Sequence, residues 1–372
     1  MKRIKNIFPE IYDFENLLGA HKDGSMGKRY RPDVLEYTAH KEENLIELQN
    51  EFMWGTYKVG TYRMFYVYEP KKRLIMSLQF KDRIAQHAIY RKLNPILDKQ
   101  LIYDTYACRK GKGTHKAVKQ LQKWMRKAER KGKYYYLKLD ISKYFYRIDH
   151  EILLKILDRK IADKDLMKVF EEIINCEDTK FGLPMGADIS DVSFEDMLLD
   201  VGLPIGNLTS QMFANLYLNE LDQFAKHKLH LKYYIRYMDD IIIIHEDKRY
   251  LKYIKDQIEE YLNTELHLQL NKKTCIRPCS MGIEFVGFRV WTTHIKMRKK
   301  TVKKIKKRLK FLFGLYAVGE IDRETLNRTL ASYRGMMKHF NSYSLRQSLN
   351  EMFIKQCYEK TEGKGHEGII ND

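Results

Sequence analysis

The sequence predicts an α+β fold. Three observations carry that reading: short runs of β-branched and aromatic residues bounded by turns, long stretches whose apolar residues recur at helical spacing, and one very basic amphipathic segment near the end. The chain has 372 residues, 44% of them hydrophobic, with 26 Tyr and 17 Phe, enough for a large core. Its length exceeds the usual allotment of one domain, so two or three subdomains are expected.

The elements follow in order. Residues 1–60 are polar and charged, with helical periodicity around Glu43–Phe52 (ENLIELQNEF). TYRMFYVYEPKKRLIMSLQF (61–80) reads as two strands flanking a turn at Glu69-Pro70-Lys71. Residues 82–128 look largely helical, broken by the loop Tyr103–His115. KYYYLKLDISKYF contains a strand that ends near Asp140, and helices are expected over Asp149–Lys160 and Lys164–Ile174. Residues 177–201 form an acidic arm with Asp188, Asp191, Glu195, Asp196 and Asp200. Gln211–Lys226 reads as a helix whose apolar face carries Met212, Phe213, Leu216, Tyr217 and Leu221. YYIRYMDDIIIIHE (233–246) is the clearest hairpin, two apolar runs joined by a tight Met238-Asp239 turn. A helix at Lys248–Leu262 and short strands to Trp291 come next. Residues 296–310, KMRKKTVKKIKKRLK, hold ten Lys or Arg, while Val302, Ile305 and Leu309 keep helical spacing. A helical pair fills 321–355, and the tail from Glu359 reads as disordered.

Lys and Arg outnumber Asp and Glu by 68 to 49, a net charge of +19 that points to a polyanionic partner, nucleic acid before any other. The five cysteines are sparse and odd in number, which disfavours a disulfide framework and suits a reducing cytoplasm. Cys275 and Cys279 have no second Cys/His pair at finger-like spacing, so zinc is disfavoured. The start has no apolar signal core, and no run approaches the ~20 apolar residues that span a bilayer.

Two carboxylate positions call for each other. Asp140 ends the apolar strand Tyr134-Tyr-Tyr-Leu-Lys-Leu-Asp140, and Asp239-Asp240 sit at the turn of an apolar hairpin. Carboxylates among strands cost several kcal/mol unless something positive compensates. Hard divalent cations would do so, and Mg²⁺ favours carboxylate and phosphate oxygens. Two such ions ~3.5–4 Å apart activate a 3′-hydroxyl and neutralise a leaving pyrophosphate. Asp-Asp alone is ordinary turn chemistry; the apolar hairpin and the second strand-terminal Asp make it more than that.

These residues also resemble a known family. Tyr237-Met238-Asp239-Asp240 resembles the YxDD box of reverse transcriptases, and Asp140-Ile-Ser-Lys-Tyr-Phe-Tyr-Arg-Ile-Asp-His150 looks like the first catalytic box of group II intron-related enzymes. The similarity runs over roughly residues 40–345, in the order fingers, palm, thumb. It implies a right-hand polymerase: an N-terminal extension and fingers over 1–139, an antiparallel-sheet palm over 140–290 with an inserted arm at 176–201, a helical thumb over 291–356, and a flexible tail over 357–372. The implied cofactor is a pair of Mg²⁺ ions, with Mn²⁺ able to substitute. Asp140 and Asp239 would hold the metals, with Ile141 beside them and Asp240 in support. Lys71 and Arg73 match the fingers K-x-R that grips the incoming triphosphate. Phe145 matches the gate against a 2′-hydroxyl, and Lys273 the palm lysine proposed to protonate pyrophosphate. Phe285-Val-Gly287-Phe resembles the primer grip. Arg109, Lys110 and Lys112, with Lys299, Lys300, Lys303 and Lys307 on the basic helix, are the expected nucleic-acid contacts.

The frame Gly-Leu-Pro-apolar-Gly occurs twice, as GLPMGADIS (182–190) and GLPIGNLTS (202–210). Gly202, Pro204, Gly206, Ser210 and Asn215 fit the family's G-x-P-Q-G-x-x-x-S-P box and the Asn-bearing helix after it, so the second frame is expected to be the site. Ile205 stands where most relatives have Gln, and Gln211 where they have Pro. That variant, with Phe80–Ala117, resembles the reverse transcriptases of diversity-generating retroelements. Ile205, Gly206 and Gln211 would then line the nucleotide site. Losing the amide would cost ~1–3 kcal/mol of discrimination, and the resemblance places the errors mainly at template adenines. The implied partners are a template RNA, a DNA or RNA primer with its cDNA product, dNTPs and a small basic accessory oligomer, with no membrane. Two alternatives stay open: a stand-alone prokaryotic reverse transcriptase of phage defence or retron type, and a non-catalytic RNA-binding, maturase-like protein. The stretch after residue 355 is too short for a recombinase, nuclease or intron DNA-binding domain, which disfavours a complete intron-encoded protein.

Overall fold

The computed structural model describes residues 3–68, 72–130, 132–176 and 179–358, with side chains as far as residue 355. The chain divides into two units: 1–113 with 137–243 and 249–275, and 114–136 with 244–248 and 276–372.

In the first unit, four helices precede the first strand: α1 (Phe8–Tyr12), α2 (Phe14–Ser25), α3 (Pro32–Ala39) and α4 (Lys41–Trp54). Only α4 was legible as a helix. The other three are shorter, and Ile11, Leu17, Ala20 and Val34 on them are all buried. Asp13 caps α2 by accepting the Asn16 N–H at 3.2 Å. Their partner is α5 (Phe80–Asp98), which buries Ile84, Ala85, Ala88, Ile89 and Leu93 at helical spacing. Between them, β1 (Arg63–Val67) and β2 (Arg73–Ser77) pair antiparallel, from Arg63 opposite Ser77 to Val67 opposite Arg73. Lys71 lies outside the described residues.

A four-stranded sheet has the order β4-β5-β3-β6, from β3 (Tyr135–Asp140), β4 (Tyr234–Tyr237), β5 (Asp240–His245) and β6 (Cys275–Pro278). β4 and β5 are the expected antiparallel hairpin, with Tyr237 opposite Asp240. The outer edge of β4 is covered: Arg236 N–H donates to the Asp104 carbonyl and the Tyr106 N–H to the Arg236 carbonyl, both at 3.0 Å. α7 (His150–Lys160) and α8 (Lys164–Asn175) pack together, and α7 meets α9 (Leu208–Gln223). α9 is buried nearly all round, so it is a core helix rather than an amphipathic surface one. It runs into a π-helical turn at Phe224–Lys228, and α10 (Lys248–Glu265) follows the hairpin.

The second unit contains α6 (Thr114–Glu129), a three-stranded sheet β7 (Ile283–Phe285), β8 (Phe288–Val290) and β9 (Ile295–Met297), and α11 (Lys299–Ala317), α12 (Arg323–Met337) and α13 (Tyr343–Tyr358). Ile305, Leu309 and Phe313 form the buried stripe of α11, against α12 and α13. Burial of each contributes about 1.5–3 kcal/mol, so a helix with so many like charges is held by its apolar side. Among the described residues no helix is long and apolar enough to cross a membrane.

Candidate active site

Strand β3 places Asp140 at its end, next to the strand that starts with Asp240. The Ile141 N–H donates to the Asp239 carbonyl at 3.4 Å, which joins the first box to the hairpin turn directly. A third segment docks on the same edge. The Asn271 N–H donates to the Asp140 carbonyl at 2.7 Å, and the Ser142 N–H to the Gln269 carbonyl at 2.8 Å. Lys273, two residues further on, is exposed on the turn that hangs from this junction.

Burial pushes the Asp240 carboxyl up to about 6; Lys138 opposes the shift, while Asp239 and Asp140 add to it. Lys138 Nζ donates to Asp240 Oδ2 at 3.2 Å and lies 3.0 Å from Oδ1, which is buried and accepts no hydrogen bond among the described residues. Lys138 is absent from the sequence-derived site. Its position two residues before Asp140, as a charge within an apolar strand, was the available signal.

Among the described residues, no three His, Cys, Asp or Glu side chains gather closely enough to hold a metal by themselves. Asp240, expected in support of Asp140 and Asp239, is engaged by Lys138. The donor set still fits Mg²⁺, which uses one or two carboxylates together with substrate phosphates. Asp140 and Asp239 would supply those carboxylates, while both Asp240 oxygens face the Lys138 ammonium.

The residues expected around a nucleotide are also drawn together. The Met76 N–H of β2 donates to the Ile205 carbonyl at 3.1 Å. Gly206 has φ 134°, and a Cβ there would lie 2.9 Å from the Met76 carbonyl oxygen, so this close approach requires glycine. The Leu203 N–H donates to the Phe145 carbonyl at 2.7 Å, and the Leu74 N–H to the Tyr146 hydroxyl at 3.3 Å. Arg73, Phe145, Ile205 and Gly206 thus belong to segments bonded to one another. Gln211 lies in the first turn of α9 and is half-buried.

The family model described as "Reverse transcriptase (RNA-dependent DNA polymerase)" matches residues 68–290, more than half of the chain and all of the segments just described. This chain belongs to the reverse transcriptase family. It is similar to protein YkfC of Escherichia coli (strain K12), 24% identical over 315 residues that cover 73% of this chain and 76% of that protein. It also resembles the group II intron-encoded protein LtrA of Lactococcus lactis subsp. cremoris, 22% identical, over 81% of this chain and 58% of LtrA. Among solved structures, apo telomerase from Candida tropicalis aligns with 14% identity and a TM-score of 0.47, over 81% of this chain and 62% of that one. The chain therefore spans less than two thirds of LtrA and of that telomerase.

Within this reverse transcriptase, the two Gly-Leu-Pro frames have different places. Gly202 takes φ 95°, and a Cβ on it would lie 2.7 Å from the Phe181 carbonyl carbon and 2.8 Å from the Gly182 nitrogen. The frames thus begin glycine against glycine, and the arm between them is a closed excursion. It is no solvated loop: Leu183, Ile189 and Met197 join Leu74, Met76 and Tyr62 in one buried cluster. Asp188 ion-pairs with Lys143 of the first box, and the Arg147 guanidinium donates to the Pro184 carbonyl at 3.1 Å. Asp191, Glu195, Asp196 and Asp200 remain exposed.

Other expected contacts divide. Arg109 was expected on nucleic acid, but its guanidinium is spent internally, on Asp98 (2.6 and 3.1 Å), on the Asp98, Ile102 and Thr105 carbonyls and on the Thr105 hydroxyl. It holds the loop shut. Lys112 donates to the Tyr103 carbonyl at 2.8 Å and lies over the Tyr103 ring, whereas Lys110 is exposed. In the second unit Phe285 is buried, and Gly287 turns the β7–β8 hairpin with φ 88°. Lys299, Lys300, Lys303 and Lys307 are exposed on α11. Cys108, Cys275 and Cys279 are free thiols.

Proposed function

We propose that this chain extends a primer by copying RNA into DNA, with Asp140 and Asp239 as the metal-holding carboxylates. The reading rests on one observation above all: the Ile141-to-Asp239 backbone hydrogen bond, within a sheet that sets β3 beside β5. Divalent cations bound there would activate the primer hydroxyl and neutralise the leaving pyrophosphate. The chain's own residues do the rest. Arg73 meets phosphate with a planar fork; Phe145 presents a ring that excludes one extra oxygen; Lys273 supplies a proton to the leaving group. The exposed lysines of α11 follow the phosphates of the product duplex.

Within that activity the enzyme is error-prone and serves a diversity-generating retroelement, making mutated cDNA with a small basic accessory oligomer. Ile205 supports this. Its carbonyl is fixed by β2, while its side chain offers no hydrogen bond where an amide would orient a nucleotide.

Primer extension on a defined RNA, followed by deep sequencing of the cDNA, tests both levels. The wild type extends, Asp239→Ala does not, and errors concentrate at template adenines and fall in Ile205→Gln. Absence of extension by the wild type would favour the RNA-binding reading. Accurate copying would favour a stand-alone enzyme of the defence type.

A further inference from the structure

The Met238-Asp239 turn carries a strained residue. Met238 takes φ 54°, in a two-residue hairpin position usually filled by glycine. Something outside the turn must hold it. One support is the Ile141 N–H on the Asp239 carbonyl. The other comes from β4 itself.

Arg236 is wholly buried, and so is Asp222 in the last turn of α9. Nε reaches both Asp222 oxygens at 2.8 and 3.0 Å, and Nη2 reaches Oδ2 at 2.6 Å. Nη2 also donates to the Asn215 carbonyl at 3.3 Å. Nη1 donates to Asn215 Oδ1 at 3.3 Å and to the Met238 carbonyl at 3.2 Å. A guanidinium has five N–H donors, and each has an acceptor here. Tyr234 completes the cluster by donating its hydroxyl to Asp222 at 2.7 Å. Burial alone would lower the Arg236 pKa, but the Asp222 carboxylate more than reverses that, so the cation stays charged.

Charge neutralisation needs only Asp222. Replacing a buried ion pair by an apolar pair of similar volume is often neutral or stabilising. Packing therefore does not account for the arginine, whereas the bond to the Met238 carbonyl does. Asn215 also donates to the Ala107 carbonyl at 3.0 Å, so α9, the loop at 104–107 and the turn share one anchor.

We propose that Arg236, oriented by Asp222 and Asn215, is a positioning residue that fixes the Met238-Asp239 turn and thereby the placement of the Asp239 carboxylate. The inference rests on the polymerase reading and deepens it.

Two variants test it: Arg236→Lys, which keeps the charge but has a single nitrogen, and the double variant Arg236→Met with Asp222→Leu, which removes the pair without orphaning a charge. Each is compared with wild type by primer-extension kcat and dNTP KM, melting temperature, and amide hydrogen exchange of the 234–245 peptide. Folded variants are expected to lose about ten- to a hundred-fold in kcat, with KM within about twofold. Amides of the turn should exchange faster while the rest of the chain keeps its protection. Wild-type kcat and turn protection in a folded variant would overturn the proposal. A loss confined to KM would do the same, as would loss of cooperative unfolding in both variants, which would make the pair scaffold alone. An inactive wild type would instead defeat the polymerase reading, while the exchange measurement would still judge the turn.

Discussion

Arg236 in the hairpin and Lys303 on α11 are both cations on regular elements, and they are handled in opposite ways. Arg236 has no exposure, and every N–H has a partner within the chain. Lys303 is exposed, as are Lys299, Lys300 and Lys307 around it. In the hairpin, charge defines geometry, because a buried ion pair tolerates one arrangement. On the helix, charge defines attraction, because solvated ammonium groups on flexible stems take many arrangements and are screened by salt. Chemistry that needs atoms held within a fraction of an ångström belongs with the first kind; tracking a duplex that must slide belongs with the second.

That contrast can be broken at four strengths. Asp239→Ala should abolish primer extension by at least about 10³-fold, as expected when a metal-holding carboxylate is lost, with little change in melting temperature. Asp222→Ala should leave Arg236 buried and unpaired, at a cost of about 3–5 kcal/mol in denaturant unfolding. Replacing Lys299, Lys300, Lys303 and Lys307 by Gln should leave folding intact and weaken duplex binding. The slope of log affinity against log salt should flatten by about one for each lysine that touches a phosphate. Lys306→Ala, on the same helix, should behave differently. Its ammonium donates to the Ser348 hydroxyl at 2.6 Å, so the change should cost about 1 kcal/mol of stability or less and leave the salt slope as it was. If Lys306 and Lys303 proved interchangeable, the distinction between the faces of α11 would fall.

Much of this arrangement was legible along the chain. Asp140, Asp239 and Asp240 stood out because acidic residues at the ends of apolar strands are costly, and the structure sets their segments side by side. The helix at 296–310 showed its stripe in Ile305 and Leu309. What stayed hidden depends on partners far away in sequence. Arg236 interrupts the run Tyr234-Ile235-Arg236-Tyr237, a lone charge in a buried strand that demanded a counter-ion, but nothing local named Asp222. Arg109 looked like a phosphate contact because its loop is basic and glycine-rich; its acceptors include Asp98, eleven residues back across a turn. The helices α1, α2 and α3 were missed because each is short and packs on α5, which lies far along the chain.

The meeting of Gly182 with Gly202 makes the arm a detour whose entrance and exit touch. A splice of very few residues would bridge that gap without altering the spacing of the first box from α9. Such an excision would still strip the underside of β2, since Leu183, Ile189 and Met197 pack beneath Leu74 and Met76. Any lengthening, trimming or exchange of the detour would therefore be felt at the strand that bears Arg73.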